Sequence, residues 1–292
     1  MVKKWRINGK MSKGTKPNSG FLRYNLSVFF FRGRFGIVCA VECILLLVLV
    51  NRVSANEWIF QERLSVFELF PILEMNAYTM MIMVLGWILM VCDIPFKRDG
   101  YELYLVRTTK KRWCMEQMVS LMICSACYLL VLFGVSILLI FPHITCSLYW
   151  SDFMHLAAIQ TGLLGIEGIM VPQGIFLLPP VFATIHAFGL AMILFVWIGM
   201  ICLICNCYSK KLWGSFCLVL LVVLDSVVYL LDTRNFSIVA SYGLPVTLAR
   251  NLYTYSSYVT GYAGIGISYT ILIAYVVVGW LTLRRSVKKI EW

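Results

Sequence analysis

One stretch of the sequence decides the fold: Val181–Cys207, which reads VFATIHAFGLAMILFVWIGMICLICNC. It contains no Asp, Glu, Lys or Arg, and it exceeds the roughly 20 apolar residues that a helix needs to cross a bilayer core. The whole chain has the same character, with 61% hydrophobic and only 13% charged residues. We therefore expect an integral membrane protein rather than a soluble one.

Apolar runs of similar length recur along the chain and predict an all-α, polytopic membrane protein with six transmembrane helices. Helices are the default because each backbone polar group in lipid must be bonded within the protein. The domain organisation that follows is a basic N-terminal tail, 1–20, and one six-helix membrane domain, 21–292. The predicted spans are Arg34–Asn51, Phe70–Cys92, Glu116–Phe141, Val181–Cys207, Gly214–Leu231 and Gly264–Leu283.

The positions of the lysines and arginines predict that both termini are cytoplasmic. On this orientation most basic residues lie inside, between Lys3 and Arg34, between Lys97 and Arg112, at Lys210 and Lys211, and between Arg284 and Lys289. The exceptions are Arg52, Arg63, Arg234 and Arg250. The net charge of +11 is thus assigned to the inner membrane surface, and nucleic acid is not expected as a partner.

The segment Phe141–Pro180 contains an apolar stretch, Asp152–Met170, that could form a seventh span. That span would place Lys210 and Lys211 outside, against the charge rule. We therefore expect Phe141–Pro180 to be an external excursion. Near the N-terminus, Phe21–Arg34 mixes aromatic and basic residues, which is typical of an interfacial helix lying flat before the first span; an elongated start of span one is the alternative.

The loop Asp93–Trp113, DIPFKRDGYELYLVRTTKKRW, is unusually charged for a chain of this composition. Pro95 ends the second span, and the spacing of Tyr101, Tyr104 and Leu105 predicts a short amphipathic helix. Thr109 is placed to cap the next helix. A helix of this kind, lying across the inner ends of two spans, predicts a docking element for a cytoplasmic partner rather than a plain tether.

These residues resemble the permeases of bacterial type-2 ABC exporters. The likeness rests on a P-F-[KR]-x-[DG] turn after span two and an R-[ST]-x-[KR]-x-x-W entry to span three, carried here by Asp93, Pro95, Phe96 and Arg107–Trp113. In such permeases this loop is a coupling helix seated in a groove of the ATPase. The resemblance implies that role for Lys97–Val106, with contacts from Lys97, Arg98, Asp99, Tyr101, Glu102, Tyr104 and Arg107.

The resemblance also implies the partners. The chain has no G-x-x-x-x-G-K-[ST] phosphate loop, so ATP and Mg²⁺ would be bound by separate ATP-binding cassette subunits. A second permease subunit, identical or related, would complete the exporter in the lipid bilayer of the bacterial cytoplasmic membrane. A peptide or other amphipathic molecule is the expected substrate. The alternative is a scaffold or sensor subunit that recruits a cytoplasmic partner without transporting anything.

Two carboxylates lie in predicted spans, Glu42 in span one and Asp225 in span five. A charged side chain there costs at least about 2.5 kcal/mol on insertion scales, so such residues usually face a partner or a cavity. We interpret both as polar points on a substrate path or at the interface between two permease halves, and we assign them to the substrate path. The alternative is a protonated carboxyl bonded to a nearby backbone or hydroxyl group, which for Asp225 would be the neighbouring Ser226.

Catalysis and metal binding are not expected. The three histidines, His143, His155 and His186, fit no HExxH spacing, and there is no G-x-S-x-G nucleophile motif. A cysteine group at the end of the fourth predicted span lacks the fourth ligand of a structural zinc site, and packing is its predicted role. The group consists of Cys202, Cys205 and Cys207.

Overall fold

The structure is a computed structural model of the chain. Helix accounts for 86% of the residues that it describes, so the protein is mostly helical, as predicted. The described residues are 20–31, 33–54, 63–95, 108–141, 144–159, 173–208, 213–230, 242–250 and 264–289.

The described part of the chain is a helical bundle with one very small sheet. The helices are α1 (Gly20–Phe31), α2 (Arg34–Ser54), α3 (Leu69–Met75), α4 (Ala77–Val91), α5 (Lys110–Ile140), α6 (Asp152–Ile159), α7 (Pro180–Tyr208), α8 (Trp213–Leu230), α9 (Pro245–Arg250) and α10 (Ile265–Lys289). A 3-10 helix covers Gln173–Leu177. Strands β1 (Leu64–Ser65) and β2 (Ile144–Thr145) pair in parallel, with Leu64 opposite Ile144.

Within the described residues, three helices are long and apolar enough to cross a membrane: α5, α7 and the Ile265–Val287 part of α10. The pair α3 and α4 would make a fourth span if the two count as one bent element. These helices indicate a membrane protein. Six spans and cytoplasmic termini stay predictions.

The predicted second span, Phe70–Cys92, is broken rather than continuous. Helices α3 and α4 meet at an angle of 86°, and Asn76 lies between them with extended backbone. Its Oδ1 atom accepts hydrogen bonds from the backbone N–H groups of Tyr78 (2.9 Å) and Thr79 (3.3 Å). Asn76 is thus the N-cap of α4, and the cap explains why the chain turns inside an apolar run.

Helix α7 lies at the centre of the bundle, where it contacts α3, α4, α5, α8, α9 and α10. The sequence explains this position. Ala183, Ala187 and Ala191 recur every four residues, and all three are buried. Small residues on one helix face let neighbouring backbones approach closely, which is how helices in membranes gain packing contacts.

Helix α1 is separate from α2, as the interfacial-helix prediction requires. The chain turns between them at Gly33, whose φ of +68° is a conformation that only glycine adopts without strain. Aromatic rings fill the corner, with Phe35 packed on Phe29 (5.5 Å between centroids) and Phe30 (5.1 Å). Helix α1 packs against α5 and α2, so the turn folds it back onto the bundle.

Candidate functional site

The predicted coupling residues, Lys97, Arg98, Asp99, Tyr101, Glu102, Tyr104 and Arg107, lie outside the described residues, and so does Phe96 of the motif. We call the segment 96–107 the inner link. Its two flanks are described. The contacts of these flanks show which helices would move if the inner link were displaced.

The first flank, at the end of α4, is tied to two other helices. Arg34, the first residue of α2, forms an ion pair of 2.6 Å with Asp93. Asn206, near the end of α7, donates hydrogen bonds from Nδ2 to the backbone oxygens of Cys92 (2.6 Å) and Ile94 (2.7 Å). The start of the inner link is therefore fixed to α2, α4 and α7 together.

The second flank is the start of α5. Thr109 is its N-cap, and its side chain accepts from the backbone N–H of Arg112, which confirms the capping prediction. One turn further on, Arg112 pairs with Glu116 at 2.7 Å. Trp113, the last residue of the Arg107–Trp113 motif, is buried in the protein. The entry to α5 is therefore held by packing against the bundle.

Glu42 lies in α2 and is almost fully buried. The Tyr128 hydroxyl of α5 is hydrogen-bonded to Glu42 Oε1 and also lies 2.8 Å from the backbone oxygen of Met83 in α4. The Tyr128 hydroxyl thus lies within hydrogen-bond distance of one acceptor on α2 and of another on α4. Glu42 is thus connected through Tyr128 to α4 and α5, and its role stays a prediction.

Gly86 in α4 makes room for this contact. A Cβ atom at this position would lie 2.7 Å from Cδ of Glu42 and 2.8 Å from Oη of Tyr128, which is closer than atoms can pack. The neighbouring Trp87 stacks on both Tyr128 and Phe195, and each of those ring centroids lies 5.6 Å from that of Trp87. The carboxyl of Glu42 is therefore enclosed by side chains of α4 and α5.

Asp225 lies in α8 and is bonded to α9. Its Oδ1 accepts from the Thr247 hydroxyl and from the Thr247 backbone N–H at 3.1 Å. Its Oδ2 lies 3.4 Å from Nη2 of Arg250, and both side chains are buried. The described partners of Asp225 are thus Thr247 and Arg250, more than twenty positions further along the chain, whereas the side chain of Ser226 lies outside the described part.

A third acidic residue, Glu74 in α3, was not singled out from the sequence. It is 0% exposed, and neither of its carboxyl oxygens accepts a hydrogen bond within the described structure. The guanidinium of Arg250 is close enough to act on it electrostatically. We call Glu74, Asp225 and Arg250 the buried charge cluster. No hydrogen bond or ion pair of the described residues joins it to Glu42.

Another carboxylate missed by sequence reasoning, Glu68, organises the segment before α3. Its Oε1 accepts from the backbone N–H of Ser151 at 2.6 Å, and Oε2 accepts from the Ser151 hydroxyl (3.0 Å) and the Ser65 N–H (3.1 Å). These bonds hold the β1 segment against the chain that precedes α6. The described part of the predicted external excursion around Ser151 is therefore bonded to the segment that precedes α3.

The histidines and cysteines have separate surroundings. His155 stacks on Phe176 with centroids 4.2 Å apart, whereas His186 Nδ1 lies 3.4 Å from the Tyr269 hydroxyl; His143 lies outside the described residues. Cys202 is buried, with its sulfur 3.9 Å from the Ser215 hydroxyl. Among the residues described, no three His, Cys, Asp or Glu side chains gather in a way that could hold a metal ion.

The described residues define a mostly helical membrane protein with buried acidic residues in its bundle. No protein-family model, curated protein or solved structure matches the chain. Its function must therefore be argued from its own residues.

Proposed function

We propose that this chain is the membrane permease subunit of an ATP-driven exporter of the ABC type, in a bacterial cytoplasmic membrane. It has six spans with both termini cytoplasmic, and it pairs with a second permease subunit, identical or related. It is not itself an enzyme, because ATP and Mg²⁺ bind to separate ATPase subunits. The inner link receives the motion of those subunits, through the seven coupling residues predicted above.

One observation supports the proposal most directly: the first flank of the inner link, at the end of α4, is bonded to several helices at once. Asp93 pairs with Arg34 of α2, and Asn206 of α7 holds the backbone on either side of Asp93. A plain tether between two spans has no need of such bonds. A segment that transmits force requires them, because a push on the link then displaces α2, α4 and α7 together.

The second flank supports the same mechanism. Helix α5 continues without a break from Lys110 to Ile140, and it contacts α1, α2, α3, α7 and α10. A rigid rod of this length moves its far end when its near end is pushed. Closure of the ATPase dimer on ATP would therefore tilt α5 and alter the packing around α3, at the end of the bundle opposite to the link.

The substrate we propose is a peptide or another amphipathic molecule, which suits a path lined by Met, Phe, Leu and Cys side chains. Glu42 and Asp225 stay our predicted substrate-path residues. Both are bonded within the chain, so each would have to exchange a partner during transport.

The test is to purify the chain from its native membrane and to look for a bound protein with a P-loop. We expect such a subunit, with ATP hydrolysis that falls at least about tenfold in the D99K/E102K double variant, since like charges across an interface cost several kcal/mol. The matched control is D152K, an acidic-to-basic change at an exposed residue of the predicted external segment.

Two outcomes count against the proposal. Full hydrolysis in D99K/E102K would remove the inner link from the coupling role. A copurifying cytoplasmic protein without a P-loop would favour the scaffold or sensor subunit instead.

A further inference from the structure

The short helix α9 carries an arginine into the interior of the bundle. All six of its residues, Pro245–Arg250, are buried, and the helix contacts α3, α4, α7, α8 and α10. Arg250 is 4% exposed. A guanidinium is charged at every physiological pH, so this position needs a compensating negative charge nearby.

Asp225 supplies that charge. Its carboxylate accepts two hydrogen bonds from Thr247 and pairs with Arg250 at 3.4 Å. Asp225 and Arg250 together are therefore electrically neutral.

The carboxylate of Asp225 already balances the single positive charge of Arg250. Arg250 therefore does not balance a second ionised carboxylate at Glu74. Glu74 is fully buried, and neither oxygen accepts a hydrogen bond from the residues described. An ionised carboxylate without hydrogen bonds is among the most costly groups to bury, and in practice such a group takes up a proton instead. The geometry thus distinguishes the two acids, with Asp225 bonded as an anion and Glu74 placed as a neutral acid.

The other titratable groups near Glu74 do not change this balance. Within the described residues, Arg250 of α9 acts electrostatically on Glu74, and Glu74 in turn acts on the hydroxyl of Tyr269 in α10. Tyr269 is in turn bonded to His186 of α7, through the histidine ring at 3.4 Å and through the backbone oxygen at 3.2 Å. Arg250 is therefore the cation that Glu74 and Asp225 share.

We propose that Glu74 is a proton-binding site in the interior of the bundle. It holds a proton on a carboxyl oxygen while Arg250 is paired with Asp225, and it loses that proton to the aqueous phase only where residue 225 carries no charge and Arg250 pairs with Glu74 instead. The ligand is thus a single proton, exchanged with solvent. The proposal does not depend on the exporter function, since it follows from the buried charge cluster alone.

The test is infrared spectroscopy of the full chain in lipid, which separates the C=O stretch of a protonated carboxyl from the bands of a carboxylate. We expect E74Q to lose intensity in the protonated-carboxyl band. The matched control is E68Q, because Glu68 accepts three hydrogen bonds and should lose intensity in the carboxylate bands instead. Loss of carboxylate intensity in E74Q would overturn the proposal.

A second variant tests the sharing of Arg250. In D225N the arginine loses its anion, so Glu74 should give up its proton to replace it. We expect the protonated-carboxyl band to weaken in D225N as much as it does in E74Q. An unchanged band in folded D225N would overturn the sharing of Arg250 by Glu74 and Asp225. If D225N does not fold, E74Q and E68Q still decide whether Glu74 carries a proton.

Discussion

Replacing Arg250 with methionine is expected to lower the free energy of unfolding by about 3–5 kcal/mol. Methionine fills much of the same volume, so the loss comes from charge rather than from a cavity. Removing one member of a buried ion pair leaves the other as an uncompensated charge, and such changes typically cost this amount. The free energy would be measured by SDS-induced unfolding of the full chain in mixed micelles.

The matched control is R285M, at an exposed arginine near the end of α10. It should change stability by no more than about 0.5 kcal/mol. The double variant R250M/D225N should recover most of the loss, because asparagine keeps the oxygen that accepts from Thr247 but carries no charge. A loss in R250M no larger than that in R285M would contradict a buried ion pair at α9.

Replacing Trp87 with alanine is expected to cost a similar amount, about 3–5 kcal/mol, because it leaves a large cavity in a packed core. Trp87 is 0% exposed. Its ring stacks on Tyr128 of α5 and on Phe195 of α7, and its Nε1 donates to the backbone oxygen of Phe195 at 2.7 Å. The side chain therefore links α4 to both α5 and α7.

Two variants separate packing from hydrogen bonding at this position. W87F keeps an aromatic ring but loses the donor, so it should cost less, about 1–3 kcal/mol. The control is L89A on the same helix, where Leu89 is 59% exposed and little packing is lost. If W87A is within about 1 kcal/mol of L89A on the same unfolding scale, Trp87 does not hold the three helices together.

The sequence predicts the helices of this fold closely where apolar runs are long. The predicted span Val181–Cys207 corresponds to α7 at Pro180–Tyr208, and Gly214–Leu231 corresponds to α8 at Trp213–Leu230. Such runs are set by local composition, because each residue contributes to burial in lipid independently of its neighbours. Composition does not predict the bend at Asn76, because a single asparagine changes the mean hydropathy of an apolar stretch very little. The bend comes from its capping of α4. Its capping preference was the available signal.

The buried charge cluster was not predictable in the same way. Arg250 was interpreted as an external arginine, because it lies between the fifth and sixth predicted spans. Its distance of more than twenty residues from Asp225 gives no periodic pattern that would relate the two. Glu74 lay inside a predicted span, Phe70–Cys92, and an acidic residue in such a run is a functional hypothesis by default. The sequence therefore indicated that Glu74 could be functional. The proximity of Glu74 to Arg250 depends instead on how α3 and α9 pack, which the sequence does not show.

The central claim, that the inner link binds a separate ATPase, is tested most directly by crosslinking in living cells. A photoreactive amino acid would replace Tyr104 in the link. The same substitution at Phe141, which is 72% exposed at the predicted external end of α5, is the control. We predict an adduct between position 104 and a protein with a P-loop, and none from position 141. An adduct of position 104 with an extracellular protein, or a P-loop adduct from position 141 alone, would contradict the account.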